Sequence, residues 1–554
     1  MGRSLNQGEA RAEGTAMRSL RDHVPVILSL LLAGGATLWA FGFGAPSPPS
    51  PAGKGSEIRV AINSDILSTN PGVLRDGNTD MVLYHVGEAL VGYRDDLTVG
   101  PLLAERIDVS DGGRTYMFTL RKGVHFHNGA PLTAAEVKWS WDRMLRPETG
   151  FRCREFYDGS GAGGLKLEAV EVLAPDRIAF RLNKPSVLFL DRMANLQCQT
   201  AILHPSSVAP DGRWRKPVGT GPYMLGEWRK GRSVTLTRFA GYAARSDPPS
   251  GVTGRKIAYA DRLVFVVTPD RIAAKSAVYA GNIDLLFAVP LSAYREVTAR
   301  AKARGDINVY RQPTLDWSVL LIQTRDPLLS DVRIRRAIAH AISPAMVTTF
   351  STAGLAAVNP SATQHLSRYH GPVEDRWLAY DPVLARRIAR EAGYRGQVIR
   401  IQANRKFSYM YDSAVAVQAM LAAAGFNAKI EMYDRATQLH NFTTGNFQLS
   451  TFGYSARSHP SLLYGNFVGS KADRASVQWD DPTARALVAR LETASSDAEI
   501  QQLLDTLHLE MEKQVPIIGL YNDLVVDIAS RKLEGYKPWA FGRPRLWGVK
   551  VRAR

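Results

Sequence analysis

The sequence predicts an α/β fold of two or more packed lobes, and three observations carry that expectation. The chain has 554 residues, too many for one compact core. With 45% hydrophobic and 22% charged residues it is too apolar to stay disordered. Segments that alternate apolar and polar residues take turns with segments of helical apolar spacing along most of its length, which implies helices laid over mostly covered sheets.

Taken in order, the first elements concern export rather than fold. Arg11, Arg18 and Arg21 precede residues 24–45, an apolar run without a charged residue, so 1–45 reads as a signal peptide or a membrane anchor. Met17 is an alternative start. As a helix the run would span about 33 Å, enough to cross a bilayer, and cleavage and retention both stay open. Gly42-Phe43-Gly44 offers small residues to a peptidase, whereas Pro46 disfavours cutting after Ala45. No cysteine follows the run, which excludes a lipid-anchored lipoprotein. Residues 46–56 are rich in proline and form an extended linker.

The folded part begins with a strand over 57–62 and a helical pattern over 79–91, then a strand over 114–120. Thr133-Ala-Ala-Glu136 is a capping-box pattern that opens a helix over 134–145, because hydroxyl and carboxylate satisfy its first free amides. Beyond it, strands are expected over 166–172, 178–182, 233–239, 262–267, 398–403 and 428–433. Helices are expected over 332–341, 382–392, 412–424, 481–493 and 499–513. There is no internal repeat and no second membrane span.

Lys and Arg number 69 against 52 acids, a formal charge of +17. Basic residues are scattered among acids, as in 333–336 and 386–390, with no aromatic-plus-basic stripe, so solvated surface charge is expected and no nucleic-acid partner. Cys153 and Cys198 are the only cysteines. In an exported chain they are free to pair, and two free buried thiols are the competing reading.

Five separated motifs then occur in one order. They are Val99-Gly-Pro-Leu-Leu-Ala-Glu105 with the block from Asp111 to Val137, Gly219-Thr-Gly-Pro-Tyr-Met-Leu225, Asp331-Val-Arg-Ile-Arg-Arg-Ala-Ile-Ala-His-Ala-Ile342, Tyr380-Asp-Pro382 with Glu391-Ala-Gly-Tyr394, and Pro516-Ile-Ile-Gly-Leu-Tyr521. Together they resemble family 5 of the extracellular solute-binding proteins, which includes dipeptide-, oligopeptide- and nickel-binding proteins of ABC importers. The resemblance implies a two-lobed clamp of the periplasmic-binding-protein kind, with a large lobe of two subdomains and a second lobe inserted in it. It places lobe I at 57–267 with 525–554 returning to it, and lobe II at 268–524, with crossings near 267–269 and 519–524. The implied function is capture of a small solute, peptide or peptide-like, in the interlobe cleft, and delivery to the permease subunits by a periplasmic monomer. Its membrane contact would be only the N-terminal segment or the permease. A membrane-tethered sensor on the same fold is the alternative.

Peptide-binding members carry a Gly-Trp step followed three residues later by an Asp that takes the ligand's α-amino group. Here Phe452-Gly-Tyr-Ser-Ala-Arg457 puts Tyr454 at the Trp position and Arg457 where Asp is expected. A guanidinium cannot accept from an amine. Upstream, Arg435 stands where Trp is frequent. If Arg435 and Arg457 both face the cleft, they form a planar, multi-donor site for carboxylate or phosphate. A one-residue gap near His459 would instead move Arg457 to the surface. Tyr521 matches a pocket-lining tyrosine, with a hydrogen-bonded tyrosine in a buried strand as the competing reading. Asn63 and Ser64 follow the first strand where relatives offer polar contacts.

His125 and His127 lack a third ligand at suitable spacing and read as structural, so no metal and no cofactor are expected. Gly159-Ser-Gly-Ala-Gly-Gly164 fits a dinucleotide glycine pattern but sits between strand patterns, where no helix opens to meet a pyrophosphate. No nucleophile elbow, His-Glu-x-x-His helix or phosphate loop is present, and no enzyme activity is expected.

Overall fold

The computed structural model describes residues 56–161, 164–494 and 496–552. The apolar run at 24–45 and nearly all of the proline-rich linker lie outside the described residues. Among the described residues no helix is long and apolar enough to cross a membrane.

The expected strands and helices lie within a few residues of their predicted bounds. Thr133 and Glu136 form the capping box at the head of Ala134–Leu145, with both reciprocal bonds made. One helix is much shorter than its pattern. Gly77–Leu83 is capped by Asp76, but the apolar spacing that continues to Val91 is not helical. The reason is close backbone packing: Gly221 N donates to Val86 O at 2.9 Å and Tyr223 N to His85 O at 3.1 Å. These carbonyls are thereby taken from the amides a continuing helix would offer. A Cβ on Gly219 would lie 2.3 Å from Val86 O, so the Gly-Thr-Gly motif is what lets the two chains approach.

An eleven-stranded sheet runs through the molecule. Across it lie Asn427–Met432, Val398–Ala403, Leu449–Tyr454, Ile307–Ile322, Ile517–Ser530, Leu285–Leu286, Glu57–Ile62, Arg262–Val267, Ser233–Arg238 and Tyr223–Arg229, with Ala357–Val358 pairing off the path. A separate four-stranded sheet is made by Ala104–Ser110, Thr115–Leu120, Arg177–Leu182 and Leu167–Ala174. Leu167–Ala174, not a helix, follows the glycine-rich segment.

Of the two longest strands, Ile307–Ile322 is not among the expected elements, whereas Ile517–Ser530 covers the stretch 519–524 where the second connecting strand is expected. They run antiparallel and belong to two different cores. Ile307, Val526 and Ile528 pack with Ala61, Val278 and Leu286. Farther along the same pair, Leu320, Ile322 and Ile518 pack on one face and Trp317, Val319 and Leu321 on the other. Burial on both faces explains the unbroken apolar stretch of 319–322, which lacks the alternation that marks a one-sided strand. A large apolar cluster drawn mainly from residues 58–287 also takes in Tyr536, Trp539 and Trp547 from the C-terminal tail. Cys153 and Cys198 in that cluster are joined by a disulfide, their Cα atoms 5.5 Å apart.

Candidate functional site

The register of the two long strands breaks between Pro313 and Trp317. Proline cannot donate to a ladder, and a bulge is where a sheet accepts it. Residues 314–316 bow out opposite Asp523, which has no register partner. Two carboxylates, Asp316 and Asp523, thus meet where the strands pass from one core to the other. Asp523 accepts from Ser318 Oγ at 3.0 Å, and its carbonyl accepts from Thr314 Oγ1 at 3.0 Å. Asp316 accepts the amide of Ala456 at 2.5 Å. Burial, reinforced by Asp316, pushes the Asp523 carboxyl up to about 8; burial also raises Asp316. Both residues keep partial solvent exposure.

Tyr409 lies beside them, its hydroxyl raised by burial and by Asp523 and Asp316. A Cβ on Gly453 would sit 2.5 Å from that hydroxyl, so the glycine of the 452–454 motif lets Tyr409 lie across the strand. Arg435 starts a helix, Arg435–Thr444, capped by Asp434. Its guanidinium stands 5.0 Å from the Phe452 ring and 5.6 Å from the Phe407 ring, and it acts on Tyr409. Arg457 donates to the carbonyls of Ser455 and Ala456 at 3.0 and 3.1 Å. Burial, with repulsion from Arg75 and Arg152, lowers Arg457 to about 10, opposed by Asp316. Arg457 has no carboxylate within ion-pair distance among the described residues, and neither do Arg152, Arg435 and Arg543, whereas Arg75 pairs with Asp80. Arg543 acts on Asp316 from the C-terminal tail. The site therefore presents four arginines without carboxylate partners and two adjacent carboxylates, walled by aromatic rings.

Of the other sequence candidates, Tyr521 and Tyr454 border the site: Tyr521 acts on Tyr409 and is acted on by Asp523, and Arg457 acts on Tyr454. Tyr454 ends the strand Leu449–Tyr454 and is stacked at 6.2 Å on Trp317 in an aromatic core with Phe467. Tyr521 is wholly buried, its hydroxyl 3.4 Å from Ser413. Asn63 and Ser64 are held by Asn78 Nδ2 at 3.0 Å each. His125 and His127 contact the carbonyls of Gly123 and Gly221, at 3.1 and 3.0 Å. Sequence reasoning missed Asp316, Asp523, Tyr409, Arg75, Arg152 and Arg543. Only Asp523 left a trace, two residues beyond Tyr521 on the same strand.

Two contacts near the site join segments far apart in the sequence. Gln197 Nε2 donates to Ala456 O at 3.2 Å, and Arg192 meets Glu492 at 2.5 Å with both side chains under 10% exposed. Beside this ion pair is a cavity of ≈ 470 Å³ lined by Phe156, Arg192, Leu462, Asn466, Arg474 and Glu492.

A family model described as bacterial extracellular solute-binding proteins, family 5 Middle, matches residues 98–474. Glutathione-binding protein GsiB of Escherichia coli K12 is 25% identical over 529 residues, covering 90% of this chain and 95% of that protein. Two solved structures superpose with a TM-score of 0.76 over 90% of this chain. They are the periplasmic binding protein DppA of Helicobacter pylori in complex with the peptide STSA, 23% identical over 98% of its length, and NikA of Brucella suis in complex with Fe(III)-EDTA, 22% identical over 100%.

Proposed function

We infer the role of this chain from its family: it belongs to the bacterial extracellular solute-binding proteins, family 5, and it serves as the substrate-binding component of an ABC importer. It holds a small solute between two lobes and presents it, unaltered, to permease subunits in the membrane, working as a periplasmic monomer whose residues 1–45 are a signal or an anchor. Lobes joined by two strands open and shut by hinge bending. The solute must prefer the shut form, since equal affinity for both would shift nothing. We place the hinge at the bulge of 314–316 and at Asp523, where the strands lose register, so the first crossing lies later than 267–269. Lobe I then takes in the segment 268–313, which packs against Ala61 and Val526.

The solute we propose is a peptide or peptide-like zwitterion with an anionic end. One observation carries this: among the described residues Arg457 has no carboxylate within ion-pair distance, and it stands near Asp316, which neighbours Asp523. A carboxylate on the solute supplies the missing partner for Arg457 and Arg435, and an ammonium supplies one for Asp316 and Asp523. Glutathione, for which the matched relatives are named, has two carboxylates and one ammonium and meets that charge pattern. The experiment is mass spectrometry of the compound that co-purifies, then calorimetry with that compound and with glutathione on the wild type and on Arg435→Ala, Arg457→Ala and the double variant. Each lost charge-assisted bond is worth about 1.5–3 kcal/mol, so each single change weakens binding from about tenfold to about 150-fold. Unchanged affinity in the double variant overturns the anionic reading.

A further inference from the structure

We propose that His365, His370 and Asp375 form a binding site for a divalent transition-metal ion of the Zn²⁺ class, apart from the solute cleft. The three residues lie on the segment 359–380, which has neither helix nor strand and links the strand Ala357–Val358 to the helix Pro382–Glu391. Their spacing, five residues and five more, matches no familiar metal motif.

Backbone carbonyls fix both rings. His365 Nε2 lies 2.6 Å from Val358 O, and a carbonyl only accepts, so Nε2 carries the proton and Nδ1 keeps a lone pair. His370 Nδ1 lies 3.0 Å from Thr363 O and donates there, which leaves Nε2 as the lone-pair atom. That Nε2 is 3.1 Å from Asp375 Oδ1, and the two rings are 4.2 Å apart. One nitrogen from each histidine and a carboxylate oxygen all fall within 4.8 Å of one another. Two acceptors facing each other at 3.1 Å need a cation or a proton between them. Zinc bonds of about 2.0–2.2 Å set tetrahedral ligand-to-ligand edges of about 3.3–3.5 Å, so the His370–Asp375 spacing is already close to one such edge. Carbonyl-anchored imidazoles are the usual outer shell of a metal site. Two imidazoles and one carboxylate suit zinc, nickel or copper and not calcium or magnesium. His370 is 11% exposed and Asp375 62%, which leaves a path for the ion and a fourth position for water.

The location gives the ion a consequence. His365 N donates to Asn522 Oδ1 at 3.1 Å, and Asn522 Nδ2 donates to Asp316 O at 3.2 Å. Ala357–Val358 pairs with Asn522 and Tyr521. A metal clip on this segment stiffens it against the stretch of strand that carries the hinge carboxylates.

The test uses the full chain freed of metal with EDTA and titrated with Zn²⁺ alone by calorimetry, and with Co²⁺ by visible absorption. Expected are one equivalent of Zn²⁺ and intense Co²⁺ bands of low-coordinate geometry, with binding weakened by at least about tenfold in His370→Ala and in Asp375→Asn. Asp375 is exposed, so its variant keeps the fold, which circular dichroism checks. Zn²⁺ binding is expected to persist in Arg457→Ala and in a His125→Ala, His127→Ala double variant. No saturable Zn²⁺ binding, which would make His370–Asp375 a simple protonated pair, or binding untouched by the His370 and Asp375 changes, overturns the proposal.

Discussion

Arg192 and Arg457 are both arginines with little solvent exposure, and they have opposite surroundings. Arg192 lies on the helix Phe189–Ala194, whose Phe189 and Met193 join the cluster that takes in the tail, and it meets Glu492, both nearly buried. Arg457 is flanked by Arg75 and Arg152, hydrogen-bonds to carbonyls of its own loop, and has Asp316 and Tyr93 to oppose the repulsion. A charge whose partner is built in can latch two surfaces together without help. A charge left unmatched costs solvation on closure, and that cost is recovered only if an anion enters with it. On the proposed function, the first arrangement would hold the cleft shut, whereas the second would make shutting depend on what is inside.

Three interventions separate these regions. The largest effect is expected from Cys153→Ser with Cys198→Ser, because Cys153 follows Arg152 and Cys198 follows Gln197, so the bridge backs both regions. Opening a loop of 45 residues lowers stability by about 4 kcal/mol in urea unfolding on the chain-entropy account. Solute affinity and lobe contact should weaken together. Next is Glu492→Gln, which leaves Arg192 uncompensated in the shut form only. Breaking a buried pair costs about 3 kcal/mol or more, and the open form rehydrates Arg192. The solute-free protein should therefore show a larger radius of gyration by X-ray scattering with little change in unfolding free energy. If scattering is unchanged, the pair is no latch.

The third intervention, read as a pH slope rather than a fixed loss, concerns Asp523. Burial and Asp316 raise its carboxyl from 3.8 to about 8. The folded protein keeps a proton that the unfolded chain releases above about pH 4, so this group's contribution falls as pH rises from about 4 to about 8. Asp523→Asn removes that slope. Its melting temperature should exceed the wild type's near pH 8 and converge with it near pH 4, while affinity for an ammonium-bearing solute drops. A constant offset across pH would show that Asp523 does not titrate in this window.

Much of the scaffold was legible because its signals are local. Thr133 and Glu136 announce a helix start from four consecutive residues, and Arg262–Val267 reads as a strand from its own composition. The helical spacing after Leu83 misled because it ignores the carbonyls that Gly221 and Tyr223 claim from far along the chain. The same blindness hid the cleft acids. Asp316 and Asp523 are separated by more than 200 residues, and although Pro313 hints at a bulge before Asp316, nothing local says which distant residue lies opposite it. Ile307–Ile322 escaped notice because Pro313 argues against a strand and because burial on two faces erases alternation. Arg435 and Arg457 were found only because a family pattern supplied positions to compare; burial and missing partners are properties of the assembled molecule.

The order of strands also sets a timetable. Leu285–Leu286 is wedged between Glu57–Ile62, near the beginning of the polypeptide, and Ile517–Ser530, near its end. As a ribosome reads the message, the earliest strands wait for residue 517 before their ribbon closes, and the cluster around them waits longer for Trp539 and Trp547. A chain organised this way stays unfinished, and still able to be threaded, until almost its last residue has been synthesised.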